Sequence, residues 1–162
     1  DHVQTRVDIW LDPFADPKGD GFQIVEASFA LADGGLTGRG LGQGEPGRIP
    51  FVETDFIFAA IGEELGMAGS AAVLMAFLIL VGSGLRIALR AHRVFDKLFA
   101  LGLTTLLGVQ AFVIIGGVLR VVPLTGITLP FVSYGGSSLV ANYALLALLV
   151  RLSHEQRTAE MT

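Results

Sequence analysis

No cysteine occurs in the 162 residues. Its absence removes disulfides, thiolate metal sites and cysteine nucleophiles, and leaves the redox compartment open. Charge is scarce as well. Asp, Glu, Lys and Arg make up 16% of the chain against 52% apolar residues, too apolar a balance for an ordinary soluble domain of this length. Membrane residence is the first expectation. Histidine is limited to His2, His92 and His154, far apart along the chain, so neither a metal triad nor a Ser-His-Asp arrangement is visible. The chain also lacks an initiator Met and a basic segment leading into a short apolar one, so it reads as starting inside a larger protein.

The charge that is present is divided. Residues 1–64 hold twelve acids against four bases, whereas 65–162 hold seven bases against three acids. Three apolar runs lie in the second part. Residues 65–85 form an uncharged run of 21, residues 98–119 one of 22, and residues 121–150 one of 30 broken by Pro123, Pro130 and Gly135-Gly136. About 20 apolar residues suffice to cross a hydrocarbon core as a helix. Arg86, Arg90, His92, Arg93 and Lys97 separate the first two runs, and Arg151, His154 and Arg157 follow the third. The positive-inside rule makes both ends cytoplasmic, so the acidic 1–64 segment and the 120–136 connection lie outside.

The expected division follows: an outer loop at 1–54, a transmembrane helix at 55–90 with a functional outer end, and a cytoplasmic loop at 91–97. A second transmembrane helix at 98–120, an irregular outer connector at 121–136, a third transmembrane helix at 137–152 and a cytoplasmic tail at 153–162 complete it. Asp12-Pro13, Asp16-Pro17 and Gly19-Asp20-Gly21 read as turns with no regular element across them. Phe22, Val25 and Phe29 share one helical face, so 22–32 reads as a short amphipathic helix on the membrane or on its own protein. The glycine-rich stretch 34–44 follows no strand and ends in no Lys-Ser/Thr, so it is not read as a phosphate loop.

Two segments bear chemistry. In 54–66, Asp55, Glu63 and Glu64 stand at the outer entrance of a membrane helix. Thr54 as N-cap would start the helix at Asp55, where the macrodipole favours a carboxylate. On such a helix Ala59, Gly62, Gly66 and Gly69 line up below Asp55, a small-residue stripe that lets another backbone approach and opens Asp55 onto a cleft. Glu63 is the carboxylate expected to share that site, and Glu64 the one expected to make a structural contact. The second segment, 123–138, is an irregular stretch at membrane depth rich in hydroxyls and glycine. Thr125, Ser133, Tyr134, Ser137 and Ser138 either line a substrate cavity or satisfy the backbone of a rigid connector. Arg120 either complements a helix C-terminus or meets a substrate phosphate. Gln110 reads as interhelical glue.

The series 54–58 with 62–66, then Pro123-Leu124-Thr125-Gly126 with Leu129-Pro130, then Ser133-Tyr134-Gly135-Gly136-Ser137-Ser138, resembles the SEDS family of peptidoglycan glycosyltransferases, which includes RodA, FtsW and SpoVE. Trp10-Leu11-Asp12-Pro13 and the 34–42 glycines resemble that family's large extracellular loop, so the likeness covers nearly the whole chain. The resemblance implies an all-α integral membrane protein, the last three helices of a bundle of about ten spans in the bacterial inner membrane, with a cytoplasmic C-terminus. It implies an enzyme that polymerises lipid II onto a growing glycan strand beside a class B penicillin-binding transpeptidase, with membrane lipids around it and no nucleic acid. The family's catalytic aspartate carries over onto Asp55. Arg120, Arg48 or a bound Mg²⁺ or other divalent cation would then stabilise the departing diphosphate. Pro50-Phe51-Val52-Glu53 departs from the family's usual approach to the Thr-Asp pair, and Ile114 replaces a frequent Asn. With Arg120, these features lean towards the elongation, RodA-like branch. The competing readings are a lipid II flippase, since broken membrane helices also serve transport, and a non-catalytic scaffold for the transpeptidase.

Overall fold

A computed structural model describes residues 2–160; Asp1, Met161 and Thr162, and with them the ends of the expected outer loop and tail, lie outside the described residues. The side chains of His2 and Arg157, both cited in the sequence reading, also lie outside that description. Among the described residues all regular structure is helical: α1 (His2–Leu11), α2 (Phe22–Gly34), one 3₁₀ turn (Pro46–Arg48), α3 (Ile57–Arg90), α4 (Val94–Val118) and α5 (Gly136–Glu160). The last three are long and apolar enough to cross a membrane.

Several boundaries differ from the expected ones for local reasons. Helix α3 begins at Ile57 behind an N-cap at Phe56 that makes no side-chain capping bond. Thr54 is not the cap, because its hydroxyl turns to the Phe51 carbonyl at 2.8 Å and to Asp55 Oδ1. Helix α4 starts four residues earlier than expected, at Val94, where Asp96 suits the positive end of the macrodipole. It ends at Val118 in a Schellman turn: Val121 N–H donates to Gly116 O (2.7 Å) and Arg120 N–H to Gly117 O (3.1 Å). Arg120 occupies the left-handed position of that turn, with φ +59°. Helix α5 runs on to Glu160, beyond the apolar stretch.

The small-residue stripe of α3 does not run down one continuous helix. At Gly66 the backbone turns to φ +67°, ψ −163°, a region open essentially to glycine alone. The segment 67–90 is still roughly 36 Å long at 1.5 Å per residue, enough to span by itself. The break would leave the carbonyls of Glu63 and Glu64 and the N–H groups of Met67 and Ala68 without their helical partners. The glycine-rich loop supplies all four. Arg39 and Gly40 N–H donate to Glu63 O (2.9 Å) and Glu64 O (3.0 Å), while Met67 and Ala68 N–H donate to Gly35 O (2.9 Å) and Leu36 O (3.2 Å). Two helical bonds are thus replaced by four to the loop, as backbone at membrane depth requires. A Cβ on Gly38 would sit 2.1 Å from Glu64 O, so only glycine permits the approach.

Helix α2 packs on α3, but through another face than expected. Ile24, Val25, Ala27, Ala30 and Gly34 are buried, whereas Phe29 is 54% exposed. The outer core joins α2 to α3, α4 and the connector through Ile24, Ala27, Phe56, Phe58, Ile114 and Leu129, with Ile9 of α1 packed against it. An inner cluster of Ala88, Ala100, Leu103, Leu107, Leu149 and Leu152 ties α3, α4 and α5. Between α3 and α4 runs an open apolar groove of about 500 Å³, lined by Phe77, Val81, Gly108 and Phe112 among others.

Candidate functional site

Asp55 precedes the first turn of α3 and is partly exposed. Its backbone is held from the connector rather than by a helix cap. The buried Ser133 hydroxyl donates to Thr54 O and accepts from Leu129 N–H at 2.8 Å, and Tyr134 N–H donates to Glu53 O at 2.7 Å. Two residues of the connector therefore fix the two residues before Asp55. The carboxylate meets the connector again at Gly126, where a Cβ would stand 3.5 Å from Asp55 Oδ2 and 3.8 Å from Arg6 Nη2.

Arg6 was not anticipated from the sequence, which assigned no element to 2–11. It belongs to α1, one turn before Trp10 and so on the same helical face. Its Nη1 donates to Leu124 O at 3.1 Å. Trp10 Nε1 donates to Arg120 O at 3.0 Å, and Arg120 Nη2 donates back to Trp10 O (3.3 Å) and Leu11 O (3.4 Å). Arg120 is thus bound to the C-terminal carbonyls of α1, the charge placement a helix dipole favours, and its Nε is buried with no partner.

The remaining candidates separate. Glu63 is 3% exposed and belongs to the loop side of α3: its Oε1 accepts from Glu45 N–H (2.9 Å) and from Arg39 Nη1 (3.3 Å). Arg48 pairs with Glu45 and lines a small recess with Glu26, Asp33 and Glu63. The expectation that Glu63 shares the surroundings of Asp55 is corrected, because the break at Gly66 and the docked loop commit it to other partners. On the connector, Thr128 Oγ1 donates to Ser138 Oγ (2.7 Å), which also accepts from Asn142 Nδ2 (3.2 Å). Gln110 Nε2 donates to Thr128 O at 2.9 Å, joining α4 to the connector. Thr125, Tyr134 and Ser137 are exposed. Among the described residues no group of three or more His, Asp or Glu is disposed to hold a metal ion. The geometry brings a carboxylate and a guanidinium within 4 Å of the one point that a Gly126 Cβ would occupy.

Comparison with known proteins adds the context. The family model described as "Cell cycle protein", covering FtsW, RodA and SpoVE, matches residues 1–158. The chain is 54% identical over 157 residues to the peptidoglycan glycosyltransferase RodA of Mycobacterium tuberculosis (strain ATCC 25618 / H37Rv), covering 97% of this chain and 34% of that protein. It is 42% identical over 154 residues to the stage V sporulation protein E of Bacillus subtilis (strain 168), covering 94% of this chain and 42% of that protein. A solved structure described as "Structural coordination of polymerization and crosslinking by a peptidoglycan synthase complex" superposes with a TM-score of 0.77 at 36% identity, over 93% of this chain and 41% of that one. The chain spans about a third of the length of the RodA relatives it matches, 34% in each case.

Proposed function

The chain belongs to the FtsW/RodA/SpoVE family, and from that premise we propose that the protein it forms part of is a peptidoglycan glycosyltransferase acting at the outer face of the bacterial inner membrane. Its substrates are lipid II and the growing glycan strand, and its partner is a class B penicillin-binding transpeptidase. The higher identity to a relative named RodA than to the sporulation protein, 54% against 42%, favours the elongation branch. The basic residues 86–97 and 151–157 favour a cytoplasmic C-terminus.

In this reading Asp55 is the general base. It takes the proton of the lipid II GlcNAc 4-hydroxyl as that oxygen attacks the anomeric carbon of the growing strand, and the polyprenyl diphosphate departs. A base must lie within hydrogen-bond reach of the hydroxyl and on the side where the sugar is. The observation that carries the proposal is Asp55 itself: a partly exposed carboxylate outside the helix, on backbone tethered by Ser133 and Tyr134. Thr125, Tyr134 and Ser137, exposed on the same connector, are the hydroxyls proposed to meet substrate, whereas Ser133 and Ser138 serve by holding the connector. Glu63 and Arg48 support the loop.

Asp55→Asn tests this in the full-length protein with its transpeptidase. A positioned base contributes about 10²–10⁴-fold, so polymerisation of lipid II should fall by at least a hundredfold while expression and complex formation stay normal. Near wild-type polymerisation would overturn the assignment and return weight to transport. The broken α3 favours that second reading, but Gln110, a polar side chain deep in α4, is already bonded to Thr128.

A further inference from the structure

Arg6 and Asp55 carry opposite charges and face the same glycine, yet they form no ion pair. Among the described residues Arg6 has no carboxylate oxygen within 4.0 Å, while both groups lie within 4 Å of the point a Gly126 Cβ would occupy. Both side chains are solvent-accessible and Gly126 is exposed, and a Cβ there would meet nothing nearer than 3.5 Å. Arg6 itself donates to Leu124 O through Nη1, and the guanidinium has five N–H donors in all. The reciprocal Trp10–Arg120 bonds hold α1 one turn away, and Ile9 packs against the core.

A base and a cation that face one glycine without pairing suit a single displacement at one carbon. The attacking hydroxyl stands against the base, and the leaving oxygen departs on the far side of that carbon. We propose that Arg6 is a catalytic residue that binds the diphosphate of the polyprenyl-linked glycan donor, across the reacting carbon from Asp55. The inference rests on the glycosyltransferase reading and deepens it. The hydroxyl proton passes to Asp55, the new oxygen–carbon bond forms, and the anomeric carbon–oxygen bond breaks with its electron pair going to the diphosphate. The guanidinium stabilises the charge that appears there, and its planar fork matches a phosphate better than an ammonium does.

The test uses the full-length protein in complex with its transpeptidase and measures binding of farnesyl diphosphate and farnesyl monophosphate, which needs no turnover. Wild type and Asp8→Asn, an exposed change on the same helix, should prefer the diphosphate. Arg6→Gln should lose about ten- to a hundredfold of diphosphate affinity, the scale of a lost charge-assisted hydrogen bond, with little change for the monophosphate, and polymerisation should fall alongside. Unchanged diphosphate binding in an Arg6→Gln complex of normal melting temperature would overturn the proposal. If that variant does not assemble, Arg6→Cys can be modified after assembly with a cationic aminoethyl or a neutral hydroxyethyl thiosulfonate. Tighter diphosphate binding by the cationic adduct supports the proposal, and equal binding refutes it. Asp55→Asn in the same assay separates the two ideas: normal polymerisation there defeats the base, whereas the diphosphate preference scores Arg6 on its own.

Discussion

Replacing Gly66 by Ala attacks the seam between the membrane helix and the outer loop. The residue sits at φ +67°, ψ −163°, and holding a non-glycine residue there costs about 1–3 kcal/mol. The new Cβ would also lie 2.3 Å from Gly38 N and 2.7 Å from Leu36 O, so the loop must move off as well. Shifting it weakens the four bonds that replace the missing helical pair, each worth about 0.5–1.5 kcal/mol net. A combined local loss of about 2–4 kcal/mol is expected, or a factor of roughly 30 to 1,000 in the opening equilibrium. Hydrogen exchange on the full-length protein reads this at four amides, those of Arg39, Gly40, Met67 and Ala68, which should lose protection together. Gly82→Ala is the control. A Cβ there meets nothing within 4 Å, and alanine in mid-helix is favoured over glycine by about 1 kcal/mol. Unchanged protection at all four amides in Gly66→Ala would refute the idea that the loop substitutes for the broken helical bonds.

Ser133→Ala removes a buried hydroxyl that both accepts from Leu129 and donates to Thr54. It should cost about 2 kcal/mol or more and slow polymerisation through misplacement of Asp55, with Ser133→Thr restoring both; thermal melting and lipid II turnover check it. Single Asp20→Cys and Thr125→Cys variants should react with an impermeant thiol reagent from outside, whereas His92→Cys should not. Labelling of His92→Cys in intact spheroplasts would reverse the orientation. Residues 1–162 purified alone should make no glycan from lipid II, because the exposed faces of α3 and α4, with Leu78, Ile79, Val109 and Phe112, give a substrate cavity too few walls. Glycan synthesis by that fragment would contradict this.

Much of the frame was legible because it rests on local signals. The three spanning helices follow from apolar run length, and the connector from Pro and Gly within the third run. Asp55 could be singled out as a candidate because its motif is contiguous. What stayed hidden depends on partners distant in sequence. The run through Gly66 reads as unbroken helix, since a lone glycine is tolerated there; the clue was the nearby glycine-rich stretch 34–44, which had no ligand motif and had to be packing on something. The burial of Glu63 follows from that docking. Helix α1 gave no periodic signal because its position comes from Trp10, Arg120 and Ile9, and Arg6 was missed with it. Arg120 itself sits in a left-handed turn where glycine would be the usual guess.

The contact between Trp10 and Arg120 spans 110 residues, and that between Ser133 and Thr54 spans 79. A chain made from its N-terminus therefore has Asp55 and Arg6 long before these contacts can form. Helix α1 lacks its Arg120 bonds until the far end of α4 has been threaded through the membrane, and Thr54 lacks its Ser133 bond until the connector emerges after it. Long-range closures of this kind come late in folding. The two charged groups consequently come to the same glycine only when two membrane crossings are complete, so a nascent or truncated protein ending before residue 133 carries both side chains without all the contacts that arrange them. In that order of synthesis the carboxylate and the guanidinium are made early and arranged late.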